Sequence, residues 1–220
     1  MVIPKWLSNS LKQDEIQTIE KQIEGIELKT QAEIVPVIVR SSSAYAQAQV
    51  TLILLFSILF LILWEILVPH LYWDYMLRAA GLLLGGLFII FCGAAFLVRD
   101  GRVRRLLTLR AEELEQCWKR ARIEFYENRL HHTDDSMGVL IYISLLEHVV
   151  IVLADKKIAE KLPAETWQSA VDEIVLGIKS KNMALGIQKG LDACSHLLIE
   201  KFPATVNNIN ELSNKVVIKE

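Results

Sequence analysis

The chain is poor in cysteine. Cys92, Cys117 and Cys194 are scattered, odd in number and never spaced as CxxC. That excludes a disulfide framework or a cysteine zinc site and suits a reducing compartment. Strong charge is lacking too: the formal net value is −2, so no nucleic-acid partner is expected. The opening residues, MVIPKWLSNS, have neither the basic start nor the apolar stretch of a signal peptide. No P-loop, GxGxxG, GxSxG, HExxH or EF-hand loop occurs, which removes the enzyme classes those motifs mark. Internal repeats and low-complexity segments are also missing.

The most informative absence is of charge. Ala79–Val98 (AAGLLLGGLFIIFCGAAFLV) has no charged residue, and Val50–Val68 (VTLILLFSILFLILWEILV) has only Glu65. Each run approaches the roughly 20 residues that a helix needs to cross a hydrocarbon core. The break between them, Pro69–Arg78, is too short to be a domain. The pattern predicts a transmembrane helical hairpin, 50–98, set into a domain made of 1–49 and 99–220. The hydrophobic fraction of 52% and the mean hydropathy of +0.32 owe their excess to this hairpin, and the first run is expected to direct its own insertion. Arg99, Arg102, Arg104, Arg105 and Arg110 follow the second run, whereas the connecting loop holds only Arg78. Positive charge stays on the cytoplasmic side, so both termini are expected in the cytoplasm, with the hairpin in the inner (plasma) membrane. Tyr72, Trp73 and Tyr75 suit the opposite interface. Glu65, near the end of its run, is read as reaching that interface rather than serving as an ion relay. Small residues such as Gly81 and Gly85 allow close helix approach, either to the first run or to a second copy of the chain.

Outside the hairpin the pattern is α/β. Ile16, Ile19, Ile23 and Ile26 recur at helical spacing over Leu11–Glu24, with Ser10 and Gln13 as a capping box and Gly25 as the stop. Ala32–Val39 (AEIVPVIV) reads as a strand covered on both faces, although Pro36 removes one ladder N–H. Ala44–Gln49 starts the first membrane helix. Arg102–Leu130 reads as a long helix with Leu107, Leu114, Trp118, Ala121, Phe125 and Leu130 inward. Gly138–Leu145 and His148–Leu153 read as an antiparallel hairpin. Pro163–Ser180 (Trp167, Val171, Ile174 and Ile178 on one face) and Met183–Lys201 (Ile187, Leu191, Cys194 and Leu198) read as helices, the second closed by Pro203. The tail is polar until a short VVI. The expected architecture is a small mixed sheet covered by helices.

Acidic residues stand at the strand ends. Glu33 opens the first strand, Asp134 and Asp135 precede the second, and Asp155 follows the third. If the first strand is parallel to the second, all four carboxylates meet at one sheet edge, with Thr133 and loop carbonyls nearby. Such an oxygen-rich set suits Ca²⁺ or Mg²⁺, and a metal held there could serve phosphoryl chemistry. His131 and His132 adjoin the edge and are read as solvated. Ser144, Glu147 and His148 have the composition of a triad, but three residues so close in one hairpin rarely reach nucleophile geometry.

Several of these stretches resemble the TPM domain. They are Glu27…Thr30…Ala32-Glu33-Ile34-Val35-Pro36-Val37, then Thr133…Gly138-Val139-Leu140-Ile141-Tyr142-Ile143-Ser144…Glu147, then Leu153-Ala154-Asp155, Trp167, Phe202-Pro203 and Asn210-Glu211-Leu212. The hairpin is similar to a membrane-bound bacterial branch in which two spans interrupt the domain. The resemblance implies an α/β fold with helices on both sides of a small sheet. Some relatives are described as acid phosphatases and some as binders of calcium or other divalent ions, while many have no assigned activity. His148 stands where many relatives have arginine. The expected role is a membrane-anchored domain that binds a protein partner or a divalent cation. The alternative is a metal-assisted phosphatase acting on phosphomonoesters.

Overall fold

The computed structural model describes residues 3–42, 46–67, 76–97, 109–133, 136–205 and 210–219. They fall into two compact units, Met1–Ser43 with Glu113–Glu220, and Ala44–Glu112.

The first unit is built on a four-stranded sheet in the order β3-β2-β1-β4. The strands are β1 (Glu33–Val39), β2 (Gly138–Ser144), β3 (Val149–Ala154) and β4 (Val217–Lys219). β1 is parallel to β2 and to β4, and β2 and β3 form the antiparallel hairpin. Every residue of β1 and β2 is buried, which is why these strands read as continuous apolar runs rather than alternating ones. Pro36 fits for a specific reason. The N–H groups of Ile34 and Arg40 both point away from β2, and alternation places Pro36 on that same side. β4 begins pairing only at Val37, so the missing N–H leaves no ladder bond unmade.

One sheet face carries Ile34, Ile38, Val139, Ile141 and Val150. It is covered by α1 (Gln13–Glu27) and, later in the chain, by two further helices at Gln168–Lys179 and Met183–Lys201. The isoleucine stripe of α1 is buried as its spacing predicts. Its cap differs from expectation: Lys12 is the N-cap residue, and the Glu15 carboxylate accepts the Lys12 N–H at 2.7 Å. The other face carries Val35, Val37, Leu140, Tyr142 and Ile151 under Cys117, Ala121 and Leu130.

The second unit holds α2 (Ala46–Leu67) and α3 (Met76–Leu97). Phe60 packs against Gly86, where any side chain would collide with its ring, whereas Gly85 faces open space. Leu52 and Ala94 are buried, with Ile53 and Phe56 against them. Around them Leu54, Leu55, Ile58, Ile62, Leu84, Phe88, Ile89 and Phe96 are exposed. Side chains are described only for 50–63 of α2 and 83–97 of α3. Among the described residues no helix is long and apolar enough to cross a membrane. The side chains of Glu65 and Gly81, the aromatic residues of the connecting loop and Arg99–Arg105 lie outside the described residues.

The inward face of α4 (Arg110–Glu127) matches the expected one in part: Ala121 and Leu130 are buried and Phe125 packs against the same cluster. Leu114 and Trp118 are exposed, while Glu113, Cys117, Ala121 and Glu124 are buried. The buried Glu124 is tolerated because Arg120 and Lys219 pair with it at 2.9 and 2.6 Å; a buried carboxylate needs such partners. Past β3 the chain forms a short helix, α5 (Lys156–Lys161), and a 3₁₀ turn (Ala164–Trp167) before α6 (Gln168–Lys179) and α7 (Met183–Lys201). The Pro163–Ser180 stretch is therefore a 3₁₀ turn followed by a helix. α6 and α7 cross with backbones in contact: a Cβ on Gly186 would lie 2.7 Å from the Gly177 Cα.

Candidate acidic edge

The parallel register pairs Glu33 with Gly138, and the Asp155 N–H donates to the Gly138 carbonyl at 2.8 Å. Glu33, Gly138 and Asp155 therefore form one row across the sheet, the outer two about 10 Å apart by strand spacing. Residues in one row share a face, and this is the face under α4. Gly138 is required here, because a Cβ would strike the backbone and side chain of Leu130. Asp134 and Asp135 lie outside the described residues. On either side of them, the Ser136 N–H donates to the Thr133 carbonyl at 2.9 Å, and the Met137 N–H to Thr133 Oγ1 at 3.0 Å.

The two described acids differ in their surroundings. Glu33 is buried, and its two oxygens accept the N–H groups of Glu211 and Leu212 at 3.2 and 3.3 Å. Burial raises its carboxyl above the ordinary range, against the pull of those two N–H bonds, and the Glu211 charge adds to the rise. Asp155 caps α5, with Oδ1 accepting the Lys156 N–H at 2.7 Å. Its Oδ2 is buried with no hydrogen-bond partner among the described residues. His131 and His132 are exposed and lie ring to ring, 4.3 Å between centroids. Among the described residues no three His, Cys, Asp or Glu side chains converge as a metal-ligand set.

Glu27, at the end of α1, belongs to the stretch that resembles the TPM domain but not to the acids expected at the sheet edge. Its Oε1 accepts the Ile34 N–H at 2.8 Å. Burial pushes its carboxyl up to about 8, with the charges of Glu33 and Glu24 adding to the effect. The available signal was an acid at the close of an amphipathic helix, where it opposes the helix dipole. At the other end of the sheet, Ser144 donates to the Glu147 carboxylate, which also accepts the Ser41 hydroxyl and the Ser42 N–H at 3.2 and 3.1 Å. Ser42 Oγ donates to Ser144 Oγ at 2.7 Å and pairs with the Tyr142 hydroxyl at 2.8 Å. Ser144 and Glu147 have no solvent exposure, so this group ties the segment after β1 to the end of β2, and Ser144 is not an accessible nucleophile.

Residues 103–197 match the TPM domain, and no curated protein matches the chain. Among solved structures, the BA42 protein of the psychrophilic bacterium Bizionia argentinensis is similar at a TM-score of 0.58 and 17% identity, over 95% of each chain. That likeness concerns the fold: a mixed sheet with helices, in keeping with a TPM-like domain.

The raised Glu27 has a sign that can be checked. The folded carboxyl titrates near 8 against an ordinary 4.5, so the native state binds this proton more tightly than the unfolded chain. Its contribution is full below about pH 4.5 and is lost as pH rises toward 8, by an amount on the order of several kcal/mol. Denaturant unfolding of the wild type between pH 5 and 8 should show falling stability, and Glu27→Gln should flatten that slope. A wild-type curve that rises over this range would contradict the assignment.

Proposed function

We propose that this protein is a membrane-anchored TPM-like domain that binds a divalent cation, Ca²⁺ or Mg²⁺, at the acidic edge. The Oδ2 of Asp155, buried and without a hydrogen-bond partner among the described residues, carries this reading. A carboxylate oxygen held out of solvent without a donor is costly unless a cation or proton meets it. Asp134 and Asp135 closely precede Gly138 in the chain and would complete an oxygen set for a hard cation. Glu33 serves less well as a ligand, because backbone N–H groups already occupy its oxygens. The bound ion would supply positive charge to the edge and stabilise the loop before β2.

Anchoring is supported by the apolar side chains exposed around α2 and α3. The two apolar runs of the sequence, Val50–Val68 and Ala79–Val98, each approach the roughly 20 residues that a helix needs to cross a hydrocarbon core. The five arginines after α3 favour cytoplasmic termini in the inner membrane.

Binding only to the native state at 100 times Kd contributes about 2.7 kcal/mol. Melting of the detergent-solubilised chain should rise by about 5 °C or more in millimolar Ca²⁺ or Mg²⁺, and Asp155→Asn should lose most of that rise. An equal rise in the variant would remove the site. Hydrolysis of p-nitrophenyl phosphate that disappears in the same variant would replace this reading with the phosphatase alternative. For the anchor, single cysteines at Ser41 and Ser213, in a background without native cysteines, should react only with reagent on the cytoplasmic side. Labelling of either from outside would overturn the orientation.

A further inference from the structure

The β2–β3 turn stands at the carboxyl ends of β1 and β2, the opposite end of the sheet from Asp155. There a cavity of about 420 Å³ opens between that turn, the N-terminal segment and the α6–α7 turn. Its apolar part is Met183, which is buried, with the half-buried Leu145 and Ile178. Its polar part is Lys181, His148, Asn9 and Ser10. No aspartate or glutamate occurs among its described lining residues.

The backbone at the two basic residues is unusual. α6 ends in a Schellman arrangement, with the Asn182 N–H donating to the Gly177 carbonyl at 2.9 Å. The residue between must turn left-handed, and glycine is the usual choice there. This chain has Lys181, at φ 59°. His148, in the β2–β3 turn, has φ 52°. Arg129 and Ser136 are the other non-glycine residues at positive φ among the described residues, so half of this set lines one cavity. Left-handed backbone at bulky residues is held at a cost and gathers at functional positions.

We propose that this cavity binds a small amphipathic carboxylate, its charge met by Lys181 and His148 and its carbon body resting on Leu145, Ile178 and Met183. The charge balance selects the class. Lys181 is the one full cation among the described lining residues, with His148, Asn9 and Ser10 as further polar groups, so a single negative charge is balanced; a dianion would keep part of its charge unpaired in a partly apolar cavity. Concave sites of this size with an apolar floor and a few converging polar groups are the usual form of a small-molecule site. In open α/β sheets, ligands also gather at the carboxyl ends of the parallel strands, where this cavity lies. The proposal does not depend on a cation at the acidic edge.

The test uses the full chain in lipid nanodiscs and 4-fluorobenzoate followed by ¹⁹F NMR. 4-Fluorobenzylamine, 4-fluorobenzyl alcohol and 4-fluorobenzyl phosphate serve as cationic, neutral and dianionic counterparts. Saturable broadening is expected for the carboxylate at millimolar concentration, with at least tenfold weaker binding of the other three. Lys181→Gly should weaken carboxylate binding at least tenfold. The same variant should melt about 2–4 °C higher, because glycine adopts the left-handed turn without strain. Carboxylate binding that survives Lys181→Gly, or equal binding of the amine, would overturn the site. A variant that melts no higher would overturn the claim that lysine is held there at a cost.

Discussion

Buried peptide N–H groups must be paired, and in this sheet the strands alone cannot pair them. β1 runs for seven residues, but its neighbour β4 covers only the last three. The Ile34 N–H faces the uncovered part of that side, and the Glu27 carboxyl accepts it. Past the carboxyl end of β1 the chain turns away, and Glu147 accepts the Ser42 N–H. At the amino end Glu33 accepts the N–H groups of Glu211 and Leu212, which brings the C-terminal segment alongside. An unsatisfied buried donor costs about 1–3 kcal/mol, so each glutamate completes hydrogen bonding where a strand falls short.

This dependence explains why the residues that resemble the TPM domain are poor guides to chemistry by themselves. Thr30, Ser144 and Glu147 spend their polar atoms on nearby chain. Thr30, for example, donates to the Phe202 carbonyl at 2.7 Å and accepts the Ala32 N–H at 3.3 Å. Asp155 differs because half of its carboxylate is left over after it caps α5. Lys181 differs because a glycine would serve the turn better. Residues that do more than local structure asks of them are the places to look for binding.

The main strands and long helices were legible because burial on both faces and helical periodicity leave strong patterns in sequence. β1, β2 and β3 differ from their expected bounds by single residues, and the parallel pairing of β1 with β2 follows from a crossover between them. β4 was not legible: three residues carry no periodicity, and their pairing is set by a distant edge. α5 was missed for a similar reason, since six residues depend on the Asp155 cap and on burial of Ile158. The inward face of α4 was right at Ala121, Phe125 and Leu130 but wrong at Leu114 and Trp118, because periodicity counts apolar residues, whereas the buried side also takes Glu124, neutralised by the remote Lys219. Of the acidic edge, sequence placed Glu33 and Asp155 at one end of the sheet. It had no means of showing that Glu33 is engaged by residues 211 and 212, far along the chain. Glu27 escaped for the same reason: its partner amide becomes close only after α1 packs on the sheet.

The claim that buried glutamates finish the sheet rests most directly on one amide. Residue-resolved hydrogen exchange of the Ile34 N–H should be compared in wild type, Glu27→Gln and Glu27→Leu at one pH. The glutamine carbonyl can still accept this N–H, whereas leucine fills similar space with no acceptor. The account predicts protection close to wild type in Glu27→Gln and exchange at least tenfold faster at Ile34 in Glu27→Leu, with amides in the interior of α7 little changed. Equal protection of Ile34 in all three proteins would contradict it.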